Sequence, residues 1–164
     1  MTDALHIRPA VIPDELPVVR ELFREYADGL GVDLCFQGFE AELAGLPGAY
    51  APPSGRLMLA VCGGSVLGCV ALRRLSDDSG EMKRLYLRPS ARGRGIGWGL
   101  VSALIVEAEA IGYHRILLDT LPTMTAAIRL YESVGFRPVE PYCNNPVPGA
   151  RYLGLDLARR TGTG

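Results

Sequence analysis

Glu81-Met82-Lys83-Arg84-Leu85-Tyr86-Leu87-Arg88-Pro89-Ser90-Ala91-Arg92-Gly93-Arg94-Gly95-Ile96-Gly97-Trp98-Gly99 is the stretch on which the reading of this chain turns. Its first part, Glu81 to Arg88, reads as a strand, and from about Gly95 an amphipathic helix runs to Ile111, with Gly112 as its stop. Alternating glycines stand at the junction. Glycine lets backbone approach a ligand closely, and a helix start offers unpaired N–H groups at the positive end of its dipole. Together these make a seat for phosphate or pyrophosphate. Arg92 and Arg94 add charge suited to bidentate phosphate contact. The plainer alternative is a glycine-rich turn that lets a helix pack closely on a sheet.

The strand has an anomaly of its own. Glu81, Lys83, Leu85 and Leu87 share one parity, yet the set changes from charged to apolar halfway. A bulge near Arg84 to Tyr86 would switch the face and leave a backbone N–H unpaired. An edge strand of mixed exposure fits the same pattern.

Outward from this stretch, Leu5 to Pro9 reads as a first strand. Residues 14–30 form a helix with Leu16, Val19, Phe23, Tyr26 and Leu30 on one face, Asp14 as N-cap, and Gly29 and Gly31 as its stop. A second helical piece spans Gly38 to Leu46. Strands Arg56 to Cys62 and Ser65 to Arg74, joined by Gly63-Gly64, form a hairpin. Beyond the central helix come a strand from Arg115 to Asp119, a helix from Thr123 to Val134 closed by Gly135, and a strand from Arg151 to Leu157. The order predicts one α/β (α+β) domain over residues 1–157, with a central mixed, mostly antiparallel sheet flanked by helices. Residues 158–164 read as a frayed tail.

Composition removes several function classes. The 164 residues carry a net charge of −1, so there is no basic excess for nucleic acid and no polybasic run for a membrane surface. No apolar run reaches the ~18 residues of a spanning helix, and the N-terminus lacks a signal-peptide pattern. A soluble, cytoplasmic domain is expected. The cysteines Cys35, Cys62, Cys69 and Cys143 form no Cys-x-x-Cys pair, and His6 and His114 stand far apart, so no metal site is expected. The P-loop pattern is absent, and so is the Gly-x-Gly-x-x-Gly/Ala fingerprint, although Asp119 ends the next strand as a ribose-binding acid would.

Arg92-x-x-Gly95-x-Gly97, preceded by Leu85-Tyr86-Leu87-Arg88-Pro89, resembles the cofactor motif of the GNAT N-acetyltransferase superfamily. Ala127-Ile128-Arg129-Leu130-Tyr131-Glu132-Ser133-Val134-Gly135-Phe136 resembles its second motif. The resemblance implies acetyl-CoA as cosubstrate without a metal. The pyrophosphate would lie on the N–H groups of Gly93, Arg94, Gly95, Ile96, Gly97 and Trp98 after Arg92, and the pantetheine arm along Leu85 to Leu87 as an added strand. An N–H near Leu85 would serve as oxyanion donor.

Tyr131 matches the family tyrosine that protonates the departing thiolate; its plainer role is a core tyrosine. Glu81 stands where some members carry a general base acting through water; its plainer role is a solvent-facing strand end. Met124 replaces an Asn that contacts the cofactor in many members. Tyr142 and Asn145, in the loop from Pro141 to Pro148, are candidate acceptor contacts, and Glu40 is a weaker one. The acceptor implied is an amine on a small molecule or a protein. Oligomeric state stays open. A non-catalytic acyl-CoA-binding module and a dinucleotide- or methyl-donor-dependent enzyme are the competing readings.

Overall fold

The computed structural model describes residues 4–31 and 38–157. Cys35 and the expected tail at 158–164 lie outside them. The elements are β1 (Leu5–Pro9), α1 (Leu16–Leu30), α2 (Phe39–Ala44), β2 (Arg56–Cys62), β3 (Ser65–Arg74), β4 (Ser79–Leu87), α3 (Ile96–Ile111), β5 (Arg115–Thr120), α4 (Thr125–Val134), β6 (Arg137–Pro138) and β7 (Arg151–Asp156). They form one seven-stranded sheet in the order β1-β2-β3-β4-β5-β7-β6. Every neighbouring pair is antiparallel except β4 with β5. The expected mixed, mostly antiparallel sheet is the one found.

Each face of the sheet has its own core. One contains Val19, Leu22 and Phe23 of α1 and Phe39 and Leu43 of α2, packed on Leu57, Leu59, Cys69 and Ala71. The other contains Leu100, Val101, Leu104 and Ile105 of α3, with Tyr131 of α4, packed on Met58, Val70, Leu72, Met82, Ile116 and Leu118. Full burial of each large aliphatic or aromatic side chain contributes about 1.5–3 kcal/mol before conformational entropy is set against it.

Local signals shift several boundaries. Asp14 is not the N-cap of α1. Glu15 holds that position, and its carboxylate accepts the Val11 N–H at 2.7 Å and both terminal nitrogens of Arg8 at 2.7 and 2.9 Å. Gly29 lies inside α1, and Gly31, in the left-handed region, ends it. β4 begins at Ser79, so Glu81 is inside the strand rather than at its end. The short β6 directly follows Gly135-Phe136, the strand entry of the second motif, and pairs with β7.

The parity anomaly of β4 is a bulge. Cys69 pairs with Tyr86 and Ala71 with Lys83, so Val70 stands opposite both Arg84 and Leu85. Arg84 has φ 62°, the positive φ of a non-glycine residue among those described. Its carbonyl accepts the Cys69 thiol at 3.3 Å. The extra residue flips the strand. Met82 before it and Leu85 and Leu87 after it all pack on the α3 side, while Tyr86 packs on the α1 side.

Candidate functional site

The parallel ladder between β4 and β5 is short, running from Ser79↔Arg115 to Glu81↔Leu117. Beyond it the two strands share no further pairs among the described residues. The wedge so opened is a cavity of about 40 Å³, lined by Lys83, Arg84 and Leu85 from β4, Asp119 and Thr120 from β5, and Tyr26, Met124, Tyr131 and Asn145. A chain can add a strand where a sheet opens in this way.

The glycine loop sits at the end of β4. Gly93 and Gly95 have φ of 75° and 76°, and a Cβ on either would meet nothing within 4 Å. Gly95 is the N-cap of α3, and no side chain caps that helix. Its first N–H groups therefore remain available to an anion. The residues fit a phosphate-bearing cofactor on this ground.

Gly97 has a different surrounding: a Cβ there would stand 3.2 Å from Leu130 Cδ2 and 3.5 Å from Leu87 Cδ1. The third glycine lets α3 pack closely. Arg92 is tied down within the loop, its Nε donating to the Leu87 carbonyl at 3.0 Å and its guanidinium 5.7 Å from the Tyr86 ring centre. Arg94 is exposed, and so is Trp98. Ile96 is buried in the core, so only its backbone N–H can face a ligand.

Beside the wedge lies a second cleft of about 200 Å³, lined by Glu42, Arg73, Leu75, Glu81, Lys83, Asp119, Cys143 and Asn144. Glu81 is only 2% exposed, so it is not the solvent-facing residue that a strand end would give. Its Oε1 accepts Arg73 Nε at 2.8 Å and its Oε2 accepts the Tyr142 hydroxyl at 2.7 Å. Lys83 Nζ stands 3.9 Å from Glu81 Oε2 and 3.9 Å from Asp119 Oδ1. Burial lowers the Lys83 pKa from its ordinary value, and the two carboxylates oppose that shift. Asp119 Oδ2 also accepts Asn145 Nδ2 at 3.0 Å. Asp119 therefore belongs to this polar cluster, a role its position at the strand end did not single out.

Glu81, Asp119 and Cys143 present ligand-type atoms within 4.8 Å of one another. The Lys83 ammonium already supplies positive charge between the two carboxylates. Cys143 has its pKa pushed up to about 11, first by burial and then by Asp119, which keeps it a thiol.

Tyr131 lines the wedge and packs against Phe136, the ring centres 5.7 Å apart. Burial raises its pKa, so it carries its proton at neutral pH. Tyr142 is raised too, first by burial and then by Glu81. Of the expected acceptor contacts, Tyr142 is bonded to Glu81 and Asn145 to Asp119. Glu40 is exposed, paired with Arg24 at 3.3 Å.

A family model described as the acetyltransferase (GNAT) family matches residues 18–136. The chain belongs to this family. An uncharacterized N-acetyltransferase from Schizosaccharomyces pombe is 40% identical over 157 residues, which is 94% of this chain and 96% of that protein. Among solved structures, a GNAT-family acetyltransferase from Staphylococcus aureus superposes with TM-score 0.79 at 18% identity, covering 94% of this chain and 99% of that one. PaiA N-acetyltransferase from Thermoplasma acidophilum, solved in complex with coenzyme A, gives TM-score 0.73 at 16% identity, covering 93% and 99%.

Several groups in this GNAT chain escaped the sequence reading. Arg84 is 3% exposed, and its guanidinium meets the Glu42 carboxylate twice, at 3.0 and 2.9 Å. It also stands 5.7 Å from the Tyr26 ring centre and 5.5 Å from that of Phe39. These contacts hold the left-handed backbone of the bulge in place. Arg73 and Lys83 carry no motif that assigns them a role from the sequence. The available signal was the parity that puts Lys83 on the face of Glu81.

Proposed function

We propose that this protein is an acetyl-CoA-dependent N-acetyltransferase that moves an acetyl group directly to an amine on a small molecule or a protein. One observation carries the reading. β4 parts from β5 directly after Glu81, and the uncapped start of α3 follows at the end of the same strand. A ligand with an amide-bearing arm and a pyrophosphate needs those two features in that order.

Acetyl-CoA supplies the activated acyl group. For it, Leu85 and Leu87 offer main chain along the arm, and the N–H groups of Gly93 to Trp98 offer donors to the phosphates. Met124 at the start of α4 lines the wedge with an apolar side chain, so an amide contact at that position is replaced by packing.

An alkylamine is mostly protonated at neutral pH, and a proton must leave before attack. Glu81 is the proposed base. Both of its oxygens are occupied, so the proton reaches it through water or through the Tyr142 hydroxyl on Oε2. Tyr131, kept protonated by burial, donates its hydrogen to the leaving thiolate as charge develops there.

Release of free thiol, followed with a panel of polyamines, amino acids, aminoglycosides and peptides, tests the reading. Thiol release with at least one amine is expected, and Glu81→Gln should lower it on the order of 10²-fold while acetyl-CoA affinity holds. Tight acetyl-CoA binding with no thiol release on any amine would make the protein a binding module instead.

A further inference from the structure

The polar groups of the Glu81 cleft can be balanced one by one. Glu81 is taken by Arg73 and Tyr142, Glu42 gives both oxygens to Arg84, and Asp119 holds Asn145 and faces Lys83. Each carboxylate is committed. The cations Arg73, Lys83 and Arg84 match the anions Glu42, Glu81 and Asp119, so this largely buried cluster has no net charge.

Arg73 differs from the other two cations. Its side chain is 37% exposed, against 7% for Lys83 and 2% for Arg84. It spends only Nε on Glu81, and among the described residues its two terminal nitrogens make no hydrogen bond. It is thus the cation of the cleft with donors to spare. Arg73 and Glu42 also line an adjoining hollow of about 320 Å³ beneath α2. Tyr50 stands on its wall, its hydroxyl buried and without a hydrogen-bond partner among the described residues.

A balanced, partly desolvated cluster resists an acceptor that brings only an ammonium, because that charge would enter uncompensated. A zwitterion brings none. When Glu81 takes the amine proton, the cluster holds one cation in excess, and a carboxylate on the acceptor balances it. The spare donors of Arg73 adjoin the Nε that holds Glu81, so the carboxylate and the amine must lie within one small residue of each other.

We infer that the acceptor is a free amino acid whose carboxylate is gripped by the terminal nitrogens of Arg73 and whose side chain enters the hollow beneath α2. This rests on the acetyltransferase reading. In the reaction the ammonium gives one proton to Glu81, and the freed amine nitrogen bonds to the acetyl carbon. The carbon–sulfur bond breaks, Tyr131 protonates the leaving thiolate, and the second proton lost by the nitrogen restores the Tyr131 hydroxyl.

The test compares thiol release from amino acids, their carboxamides and the matching decarboxylated amines, with wild type and with Arg73→Gln. A charge-assisted bidentate contact predicts kcat/KM about ten- to hundredfold higher for the acid than for its amide. In Arg73→Gln that ratio should fall toward one, and any weakening of Glu81 should lower all acceptors alike. Thiol release from amides and simple amines as fast as from acids in the wild type overturns the inference and leaves the acetyltransferase reading standing. A preference for acids that survives in Arg73→Gln also overturns the assignment to Arg73. No thiol release on any amine, with acetyl-CoA bound, overturns both.

Discussion

Gly95 and Gly97 alternate in the same loop, and substituting each by alanine should separate two jobs. Gly95 has φ 76°, where an L-residue costs about 1–2 kcal/mol. For a domain of this size about 2–4 °C is lost per kcal/mol, so Gly95→Ala should melt roughly 2–8 °C lower yet fold. Its methyl would project into open space, where the proposed phosphate seat lies. Displacing one charge-assisted N–H contact predicts acetyl-CoA binding weaker by about 10- to 150-fold.

Gly97 lies inside α3, outside the left-handed region, and its added methyl meets only two leucine tips. Alanine there gains about 0.5–1 kcal/mol of helix preference, which offsets a few tenths of an ångström of adjustment at Leu130. Gly97→Ala should therefore melt near wild type and bind acetyl-CoA within about threefold of it. Calorimetric titration and thermal melting on the same preparations read both quantities. Equal loss of affinity in the two variants, with both folded, would refute the division of roles.

Tyr131→Phe keeps the ring that packs on Phe136 and removes the hydroxyl; turnover should fall on the order of 10²-fold with the melting temperature little changed, and full activity would remove Tyr131 from the chemistry. Glu42→Ala leaves the Arg84 guanidinium buried and unpaired, so urea unfolding should show a loss of about 3–5 kcal/mol, whereas a loss below about 1 kcal/mol would mean the bulge stands without that pair. The hydrogen bonds from Arg8, aided by the Val11 N–H, hold the Glu15 carboxyl at about 2, below its ordinary 4.5. A folded pKa below the unfolded one gives stability that is present above pH 4.5 and lost as pH falls toward 2. Acid unfolding of Glu15→Gln should lack that share of the slope, and an unchanged acid limb would refute it.

Elements governed by local signals were legible in the sequence. The Gly63-Gly64 hairpin, the amphipathic α1 and the Arg92 to Gly97 junction follow from residues within a few positions of one another. The parity break in β4 announced a bulge, although a mixed-exposure edge strand explained the pattern equally well until the register was known. The polar cluster was hidden for a physical reason. Arg84 and Glu42 are 42 residues apart, Tyr142 and Glu81 are 61 apart, and Asn145 and Asp119 are 26 apart. No periodicity links such partners; only the sheet order and the return of the loop before β7 bring them together. Asp14 failed as N-cap because Glu15 gains Arg8 and Val11 at once, a contact across β1 and α1 that capping preference does not include.

The bulge explains why one strand serves both clefts. Without it, strict alternation would put Leu85 and Leu87 on the face of Glu81 and Lys83, and apolar side chains would fill the space beneath α1 and α2. The extra residue at Arg84 returns Leu85 and Leu87 to the α3 core while Glu81 and Lys83 stay on the polar side. It also interrupts the β3–β4 pairing beside the wedge where β4 leaves β5. Strain in the Arg84 backbone, the Glu42 pair that holds it and the opening beside β5 are therefore parts of one construction. Relieving the strain with Arg84→Gly would suit the backbone but leave the half-buried Glu42 carboxylate without its partner and remove one cation from the balanced cluster. The arginine is required for its charge at a position where the backbone alone would favour glycine.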